Sequence, residues 1–504
     1  MRWQSDRHSI PFTCHWVKSA YQHMKSLTLS RLITLLTFIA LFAMAVRTPV
    51  DTDMYWHLRT GQYILQTHTI PIADPFSWTA FGTPWVNVHW LSQIVLYMTY
   101  ALGGLPGLAL LVAALVMLAF VFVWKQMEGG PFVRAFIVVL AAATAGAVWT
   151  PRSQMATFVF TPLIGYLVYL YKWKQTDRLW LIPIVFVLWV NMHGGYISGF
   201  MLLGAVLAGE IVNHVMHFEG PEVLSWRRWR KLLIIALISG AVLIINPYTV
   251  GALLLPFKTV NIGVLQDFIQ EWAAPNFHEL FQQPMLWMLL LTLVIIGWSG
   301  RRLDASDAAL LVSFVYISFL ARRNIGLFAL ICAPILSRHA AALIARSRWG
   351  QRRLSPGNPM LNWLLLMLIG IAALLKVILP LTPAMQQQGE NKVLPVGAVD
   401  WITQNQPSGK MFNSYNWGGY LLWRLWPQYP VYADGRTDVY DNSFLREYLS
   451  IVTGQEDASQ IFDERGIGFV VIEPESPLVR QLVQSGKWVE AYRDEKAAVL
   501  MRHS

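Results

Sequence analysis

Charged residues are scarce in this sequence. Asp, Glu, Lys and Arg make up 13% of its 504 residues, whereas hydrophobic residues make up 55%. A soluble globular chain carries roughly 25% charged residues. The low charge therefore excludes an ordinary soluble domain, and the many long apolar runs predict an integral membrane protein that crosses the bilayer repeatedly.

Cysteine is nearly absent, and the basic residues form no continuous stripe. Cys14 precedes the first apolar run and Cys332 lies inside another, so no disulfide is expected between them. The net charge of +10 comes from short basic clusters between apolar runs, such as residues 227–231 and 346–353. A nucleic-acid-binding protein would concentrate basic residues on one face, whereas this distribution is typical of cytoplasmic loops between membrane spans.

Eleven apolar segments approach the roughly twenty residues that a membrane-spanning helix needs. They lie at residues 31–48, 106–124, 132–150, 155–171, 178–191, 196–215, 231–247, 284–299, 306–321, 324–344 and 361–381. The basic clusters place residues 1–30 in the cytoplasm and the C-terminus on the outer side. The first segment is predicted to be an uncleaved helix, since its polar N-terminal extension is too long for an ordinary signal peptide.

One further apolar segment, His89 to Gly103, conflicts with this alternation if it is counted as a span. Lys125 and Arg134 would then lie on the outer side, against the positive-inside trend. The segment is therefore predicted to be an interfacial or re-entrant helix. It belongs to a first outer loop at residues 49–105, within a transmembrane part at residues 31–385.

After about residue 390 the long apolar runs stop. Helical patterns occur at residues 396–404, 443–452, 456–465 and 477–485, and strand patterns at residues 430–433, 468–472 and 498–501. This mixture predicts a small extracytoplasmic α/β domain at residues 390–504. The glycines at positions 418, 419 and 435 are interpreted as turns, and a ligand role for Trp417 or Arg436 is the alternative.

Polar residues gather in the predicted outer loops. Asp51 and Asp53 follow the first span, where two carboxylates could share a divalent cation or leave one as a general base. The alternative is a solvated helix end with acids near its N-terminus. The neighbouring Trp56, His57 and Arg59 favour a functional site, because titratable groups cluster at such sites.

Two adjacent arginines, Arg322 and Arg323, contradict the positive-inside trend on the outer side. They could hold an anionic ligand such as a phosphate through their guanidinium groups. They could equally form ion pairs with Asp267 or Glu271. Both interpretations remain open from the sequence.

Three histidines, His57, His89 and His193, also lie in these loops, but without metal-ligand spacing such as HExxH. His193 precedes two glycines, which indicates close approach of backbone or ligand, although a lone histidine is more often structural. Asp74-Pro75 is interpreted as a helix stop.

Several features together resemble the GT-C superfamily of integral membrane glycosyltransferases, such as the protein mannosyltransferases and the aminoarabinose transferases of lipid A. They are Asp51-Thr-Asp53 after the first span, the long first outer loop with its segment from Trp85 to Trp90, and the outer C-terminal domain. The sequence departs from the superfamily pattern where Arg152-Ser-Gln154 fills the usual second acidic position. The resemblance implies a helical polytopic fold with juxtamembrane helices.

The resemblance implies that a sugar moves from a polyprenyl-phosphate donor to a glycan, lipid or protein acceptor, at the outer face of a bacterial inner membrane. Asp53, supported by Asp51, would act as the base, and any divalent cation would bind this pair. Arginines would stabilise the leaving phosphate: Arg322, Arg323, Arg59 and Arg152. The other candidate substrate contacts are Trp56, His57, His89, His193 and Glu271, with Trp85 and Trp90 as further stacking candidates.

Two other functions compete with this one. A transporter or flippase would place polar residues near the bilayer midplane on broken helices, whereas here they lie at span ends. A non-catalytic assembly protein would bind a partner through its outer domain. In that case the Asp53 carboxylate would be dispensable.

Overall fold

The computed structural model describes residues 27–220, 222–260, 271–347 and 357–503. The helices of the membrane part and of the first loop are α1 Leu29–Ala45, α2 Met54–Thr67, α3 Trp90–Gln126, α4 Pro131–Ala145, α5 Gln154–Lys172, α6 Leu181–Val190, α7 Ile197–Val215, α8 Trp226–Ala241, α9 Val250–Val260, α10 Gln283–Ser299, α11 Ala305–Leu320, α12 Ile325–Arg346 and α13 Pro359–Ile378. Cys14 and Asp267 lie outside the described residues.

A helix occupies each of the eleven predicted spans. Six helices within the described ranges are long and apolar enough to cross a membrane: Trp90–Gln126, Pro131–Val148, Gln154–Lys172, Gly194–Val215, Arg322–Arg346 and Pro359–Leu381. Shorter apolar helices lie at Leu29–Ala45, Leu181–Val190, Gln283–Ser299 and Ala305–Leu320. These helices support a polytopic membrane protein, while the count of eleven spans stays a prediction.

The predicted interfacial segment is the first part of the long helix α3. Non-helical backbone at Gly104 (φ 59°, ψ −153°) separates it from the rest of that helix, and Pro106 follows, which has no N–H to donate. The first part of α3 crosses α2 closely. A Cβ at Gly61 would lie 2.2 Å from the carbonyl oxygen of Gln93, so only glycine permits this helix crossing.

The C-terminal part is a small α/β unit with a four-stranded sheet. Its elements are α14 Pro383–Val393, α15 Val396–Asn405, β1 Lys410–Asn413, α16 Gly418–Leu425, α17 Asn442–Val452, α18 Ala458–Arg465, β2 Ile467–Ile472, α19 Pro477–Gln484, β3 Trp488–Arg493 and β4 Ala498–Arg502. The strand order is β1-β2-β4-β3. The pair β1/β2 is parallel, and the other two pairs are antiparallel.

The predicted strand at residues 430–433 is wrong. The segment is buried and apolar, which is why it has the pattern of a core strand. Its backbone, however, meets the first loop: Val431 forms an isolated bridge with Ser77, and its carbonyl oxygen accepts from the Trp78 N–H at 3.1 Å. The predicted sheet also lacked β1 and β3.

One hydrophobic core joins the first loop to the C-terminal unit. Met54, Leu58 and Phe76 of the loop belong to the same buried cluster as Leu421 and Val431. A separate and larger cluster fills the helical bundle. The first loop is therefore held in place by residues that come much later in the sequence.

A buried network of charges, absent from the sequence-based prediction, lies at the far end of α5. Lys172 Nζ contacts the carboxylates of Glu210 and of Asp304 (2.8 Å for Asp304). Arg338 pairs with Asp307 at 2.7 Å. These pairs connect α5, α7, α11 and α12, so each buried charge has a partner, as burial in an apolar environment requires.

Candidate active site

Three carboxylates converge on one guanidinium at the end of the bundle where α5 begins. The Arg152 Nε lies 2.6 Å from Asp51 Oδ1. The Arg152 Nη1 lies 3.0 Å from Asp53 Oδ2 and 2.9 Å from Glu271 Oε1. The three acids come from two loops that are far apart in sequence. The structure therefore brings together Asp51, Asp53, Arg152 and Glu271, which the sequence placed in separate loops.

Asp51 has a structural position in this cluster. Its Oδ1 accepts the backbone N–H groups of Asp53 (2.9 Å) and Met54 (3.2 Å), which belong to the first turn of α2. The Arg152 Nε contacts both of its oxygens, at 2.6 and 2.7 Å. With its side chain only 4% exposed, Asp51 orients α2 and Arg152 and has little capacity left for a substrate.

Asp53 is the more accessible carboxylate, with a side chain that is 29% exposed. The pKa of Asp53 is raised to about 7: burial raises it most, the Arg152 guanidinium lowers it, and the charges of Asp51 and Glu271 add to the rise. A carboxyl group with a pKa near neutrality is matched to proton transfer at physiological pH. Of the two aspartates, Asp53 is therefore the one whose exposure and pKa suit acid–base chemistry, and Asp51 has a supporting position.

The C-terminal unit packs closely against Asp53. A Cβ at Gly435 would lie 2.0 Å from Asp53 Oδ1 and 3.3 Å from Trp56 Nε1, and one at Gly419 would lie 2.6 Å from the Thr52 carbonyl oxygen. Neither glycine has a positive φ. Their interpretation as turns is therefore corrected: the missing side chains let the C-terminal unit touch the acidic motif.

Arg436 links the C-terminal unit to the first loop and has no room for a ligand. It is completely buried and pairs with Asp434 at 2.6 Å and with Asp74 at 2.5 Å. Its guanidinium also lies about 5 Å from the ring centroids of Phe76 (5.1 Å) and Trp85 (5.0 Å). Asp74 is thus the loop's ion-pair partner as well as a turn residue, which the helix-stop interpretation missed.

Two expected substrate contacts are occupied by other interactions. Trp85 is buried and donates from Nε1 to Asp438 Oδ2 at 3.0 Å, so it does not stack on a sugar. The Arg59 guanidinium donates to the Trp423 carbonyl oxygen and lies 5.1 Å from the Trp423 ring centroid and 5.5 Å from that of Trp426. Arg59 therefore belongs to the contact with the C-terminal unit and is not carried forward as a phosphate ligand.

A row of three histidines leads away from Asp53. The ring centroids of His57 and His89 are 5.5 Å apart, those of His89 and His193 are 5.4 Å apart, and Trp56 lies on His57 at 3.6 Å. Burial lowers the pKa of all three, for His89 to about 4. The imidazoles are therefore neutral at pH 7, and each offers one donor and one acceptor.

The tautomer of His193 follows from its neighbours. The Trp189 indole N–H, which can only donate, gives its hydrogen to Thr157 Oγ1 at 2.9 Å. The Thr157 hydroxyl lies 2.7 Å from His193 Nδ1, which also accepts the Gly195 N–H at 3.0 Å. Because Nδ1 accepts twice, the ring hydrogen is on Nε2, and His193 presents an N–H donor next to His89.

The two adjacent arginines lie at the same end of the bundle. The Arg322 N–H donates to the Ala273 carbonyl oxygen at 3.0 Å, and the Arg323 N–H to that of Glu271 at 3.2 Å. The Arg323 guanidinium lies 4.6 Å from the Trp272 ring centroid. The charge of Arg323 also contributes to lowering the pKa of His89, after burial. Asp267 and Glu271 were expected to pair with these two arginines. Glu271 forms an ion pair with Arg152, and Asp267 lies outside the described residues.

Three buried polar atoms beside this row and Asp53 lack a hydrogen-bond partner within the described part of the chain. They are Trp56 Nε1, His89 Nδ1 and the Tyr415 hydroxyl. Leaving such groups unsatisfied costs about 1–3 kcal/mol each, so each of these atoms is a candidate contact for water or for a substrate. Tyr415 and Thr157 had no signal in the sequence, and Gly435 was interpreted only as a turn, because each acts through contacts between distant segments.

Trp90 does not point to the unpaired atoms. Its Nε1 donates to Asn191 Oδ1 at 3.0 Å. Its ring lines an open apolar groove of about 390 Å³ together with residues of α6 and of the turn near Asn246. Stacking of Trp90 on a sugar at Asp53 has no support from this position.

The residues present do not fit a divalent cation at Asp51 and Asp53. The oxygens that such a cation would need converge on the Arg152 guanidinium instead. In the described part of the chain, no group of three or more His, Cys, Asp or Glu side chains has an arrangement that could hold a metal ion.

Comparison with solved structures relates this fold to membrane glycosyltransferases. Oligosaccharyltransferase AglB from Archaeoglobus fulgidus, in complex with an inhibitory peptide and a dolichol-phosphate, matches with 14% identity and a TM-score of 0.52 over 91% of this chain and 70% of that chain. The apo form of the Archaeoglobus fulgidus oligosaccharyltransferase matches with 13% identity and a TM-score of 0.55 over 87% and 69%. ArnT from Cupriavidus metallidurans, bound to undecaprenyl phosphate, gives 12% identity and 0.47 over 96% and 97%.

No protein-family model and no curated protein matches the chain. The two matches with TM-scores above 0.5 are both oligosaccharyltransferases, and the resemblance expected from the sequence is confirmed at the level of the fold. Because the identities are low, the activity has to be argued from this chain's own site.

Proposed function

We propose that this protein is a membrane glycosyltransferase that moves a sugar from a polyprenyl-phosphate donor to an acceptor hydroxyl on the extracytoplasmic face of a bacterial inner membrane. The observation that carries the proposal is Asp53: a half-buried carboxylate with a pKa near 7. It lies in a fold shared with an oligosaccharyltransferase whose structure contains a dolichol-phosphate.

The reaction can be written with residues of the chain alone. Asp53 takes the proton of the acceptor hydroxyl, the acceptor oxygen bonds to the anomeric carbon, and the bond from that carbon to the phosphate oxygen breaks. The leaving phosphate gains negative charge, and the proposal assigns its stabilisation to Arg323, Arg322 and the Nε2–H donor of His193. An inverting displacement needs only one carboxylate base, so Asp51 and Glu271 remain free to hold Arg152.

A transporter or a non-catalytic assembly protein predicts a different outcome in cells. If the proposal is right, a deletion strain accumulates a polyprenyl-phosphate sugar in its lipid extract, which mass spectrometry detects. Wild-type protein restores the normal level, and Asp53→Asn at equal abundance does not. Restoration by Asp53→Asn would exclude a catalytic Asp53 and favour the two alternatives.

Tyr415 provides a test of substrate contact. Tyr415→Phe should lower kcat/KM about tenfold, the effect of losing one hydrogen bond of about 1.4 kcal/mol to the substrate. Its melting temperature should not fall, because the hydroxyl has no partner in the described chain to lose. Transfer assays and thermal melts of the purified protein check both expectations.

Tyr448→Phe is the matched control for Tyr415→Phe. The Tyr448 hydroxyl accepts the Tyr415 backbone N–H at 2.7 Å, so its removal should lower stability. The substrate-contact role is wrong if Tyr415→Phe melts earlier than wild type while its kcat/KM is unchanged.

Thr157 should act as a positioning residue for His193. Thr157→Val removes the hydroxyl that hydrogen-bonds His193 Nδ1 and should reduce kcat roughly 10-fold, the effect of losing one hydrogen bond of about 1.4 kcal/mol. Thr157→Ser keeps the hydroxyl and should stay within about threefold of wild type, since only a methyl group is lost. Equal loss of activity in both variants would show that packing, and not the hydroxyl, is what matters.

A further inference from the structure

We propose that the Arg152 guanidinium is the permanent cation of the carboxylate cluster and that it takes the place of a divalent metal in this site. As a statement about catalysis, the inference rests on the proposed transferase function. As a statement about metal binding, it stands on the geometry of four side chains and can be tested without any substrate.

The position of the guanidinium is the first argument. Its Nε contacts both oxygens of Asp51. Its Nη1 contacts Asp53 Oδ2 at 3.0 Å and the two oxygens of Glu271 at 2.9 and 3.2 Å. One cationic group thus lies where the carboxylates meet. A metal bound to the same oxygens would lie at 2.0–2.6 Å from them, and the guanidinium would have to leave before it could enter.

The second argument is the permanence of the charge. An arginine is not deprotonated in a protein, and the Arg152 side chain is only 16% exposed and contacts all three acids. Taking it out of the cluster would leave a largely buried charge without partners, which costs several kcal/mol. A bound metal would have to supply that free energy in addition to its own dehydration.

The third argument concerns the free oxygen of Asp53. Arg152 contacts Oδ2, whereas Oδ1 faces the backbone at Gly435 and the Trp56 Nε1 side of the site. One carboxylate oxygen is therefore held by the cation, and the other makes no contact with it and lies on the side of Gly435 and Trp56. The cation orients the base without occupying the atom that reacts.

The experiment measures Mn²⁺ binding by electron paramagnetic resonance on the full-length protein in lipid nanodiscs after chelator treatment. Wild type should bind no stoichiometric Mn²⁺ at the carboxylates, and its transfer activity should change less than twofold with a chelator present. Arg152→Asp replaces the cation with a further carboxylate and should bind one Mn²⁺ per chain. Arg152→Lys retains a positive charge and should not.

Arg446→Asp is the matched control, because it reverses a charge at an exposed position of α17 and should leave Mn²⁺ binding at the wild-type level. The inference is overturned if wild type binds one Mn²⁺ that Asp53→Asn abolishes, or if the chelator stops transfer and Mg²⁺ restores it. The measurement of Mn²⁺ binding by the wild type tests the inference even if Arg152→Asp does not fold. If the wild-type protein transfers no sugar while the Mn²⁺ results follow expectation, the proposed function is wrong, and the assignment of Arg152 as the cation of the cluster still holds.

Discussion

Asp53→Asn should reduce kcat about 10²–10⁴-fold, the contribution of a positioned general base. The amide keeps the size of the side chain but cannot accept the acceptor proton. Purified variant and wild type are compared by transfer of labelled sugar, with protein level and melting temperature as checks of folding. Asp400→Asn, at an exposed carboxylate of α15, is the control and should transfer sugar like wild type.

The pH dependence follows from the same group. Because the pKa of Asp53 is raised from 3.8 to about 7, the base form accumulates as the pH rises through 7, and kcat/KM should rise and then level off. Stability should show the opposite trend. A carboxyl group with a raised folded-state pKa stabilises the fold below its unfolded pKa, and this stabilisation is lost as the pH rises through the folded value.

The Asp53→Asn variant should lack that pH-dependent loss of stability between about pH 4 and 7, since an amide does not titrate there. Activity that is independent of pH across this range in wild type would contradict the role of Asp53 as base. Activity retained by Asp53→Asn would contradict it directly.

Arg436→Met should destabilise the protein by about 3–5 kcal/mol, the cost of removing one partner from a buried ion pair. The substitution leaves Asp74 and Asp434 buried without their cation, and both are about fully excluded from solvent. The contact between the first loop and the C-terminal unit should loosen, and sugar transfer should be lost with it. Thermal melts and limited proteolysis of the purified protein measure these effects.

Arg493→Met is the control for Arg436→Met. Arg493 forms ion pairs with Glu475 and Glu490 at the surface, and its side chain is 43% exposed, so its loss should cost no more than about 1 kcal/mol. If both variants melt at the same temperature as wild type, Arg436 does not hold the first loop.

The sequence predicted the helices well because each depends on its own residues. A helix occupies every predicted span, and the four helices predicted in the C-terminal part agree with α15, α17, α18 and α19 within about two residues, whereas α14 and α16 were not predicted. The segment at residues 430–433 was misassigned because burial of an apolar run resembles a core strand, whatever its backbone pairs with. Here the partner is Ser77 of the first loop, a contact that local pattern does not contain.

The site was predictable as a set of polar residues and not as a geometry. Asp51, Asp53, His193 and Glu271 are unusual next to apolar spans. Their arrangement around Arg152, however, depends on how distant segments pack. The family resemblance implied that Arg152 contacts a phosphate, whereas in the structure its guanidinium contacts three carboxylates.

The ion pair between Arg436 and Asp74 has a consequence for biosynthesis. Its two residues are 362 positions apart in the chain, so the ribosome completes the whole helical bundle before the partner of Asp74 exists. A nascent chain can therefore contain every acid of the site while it still lacks the C-terminal residues that pack against Asp53. The surroundings of Asp53 are therefore completed only late in synthesis, once the C-terminal unit has been made.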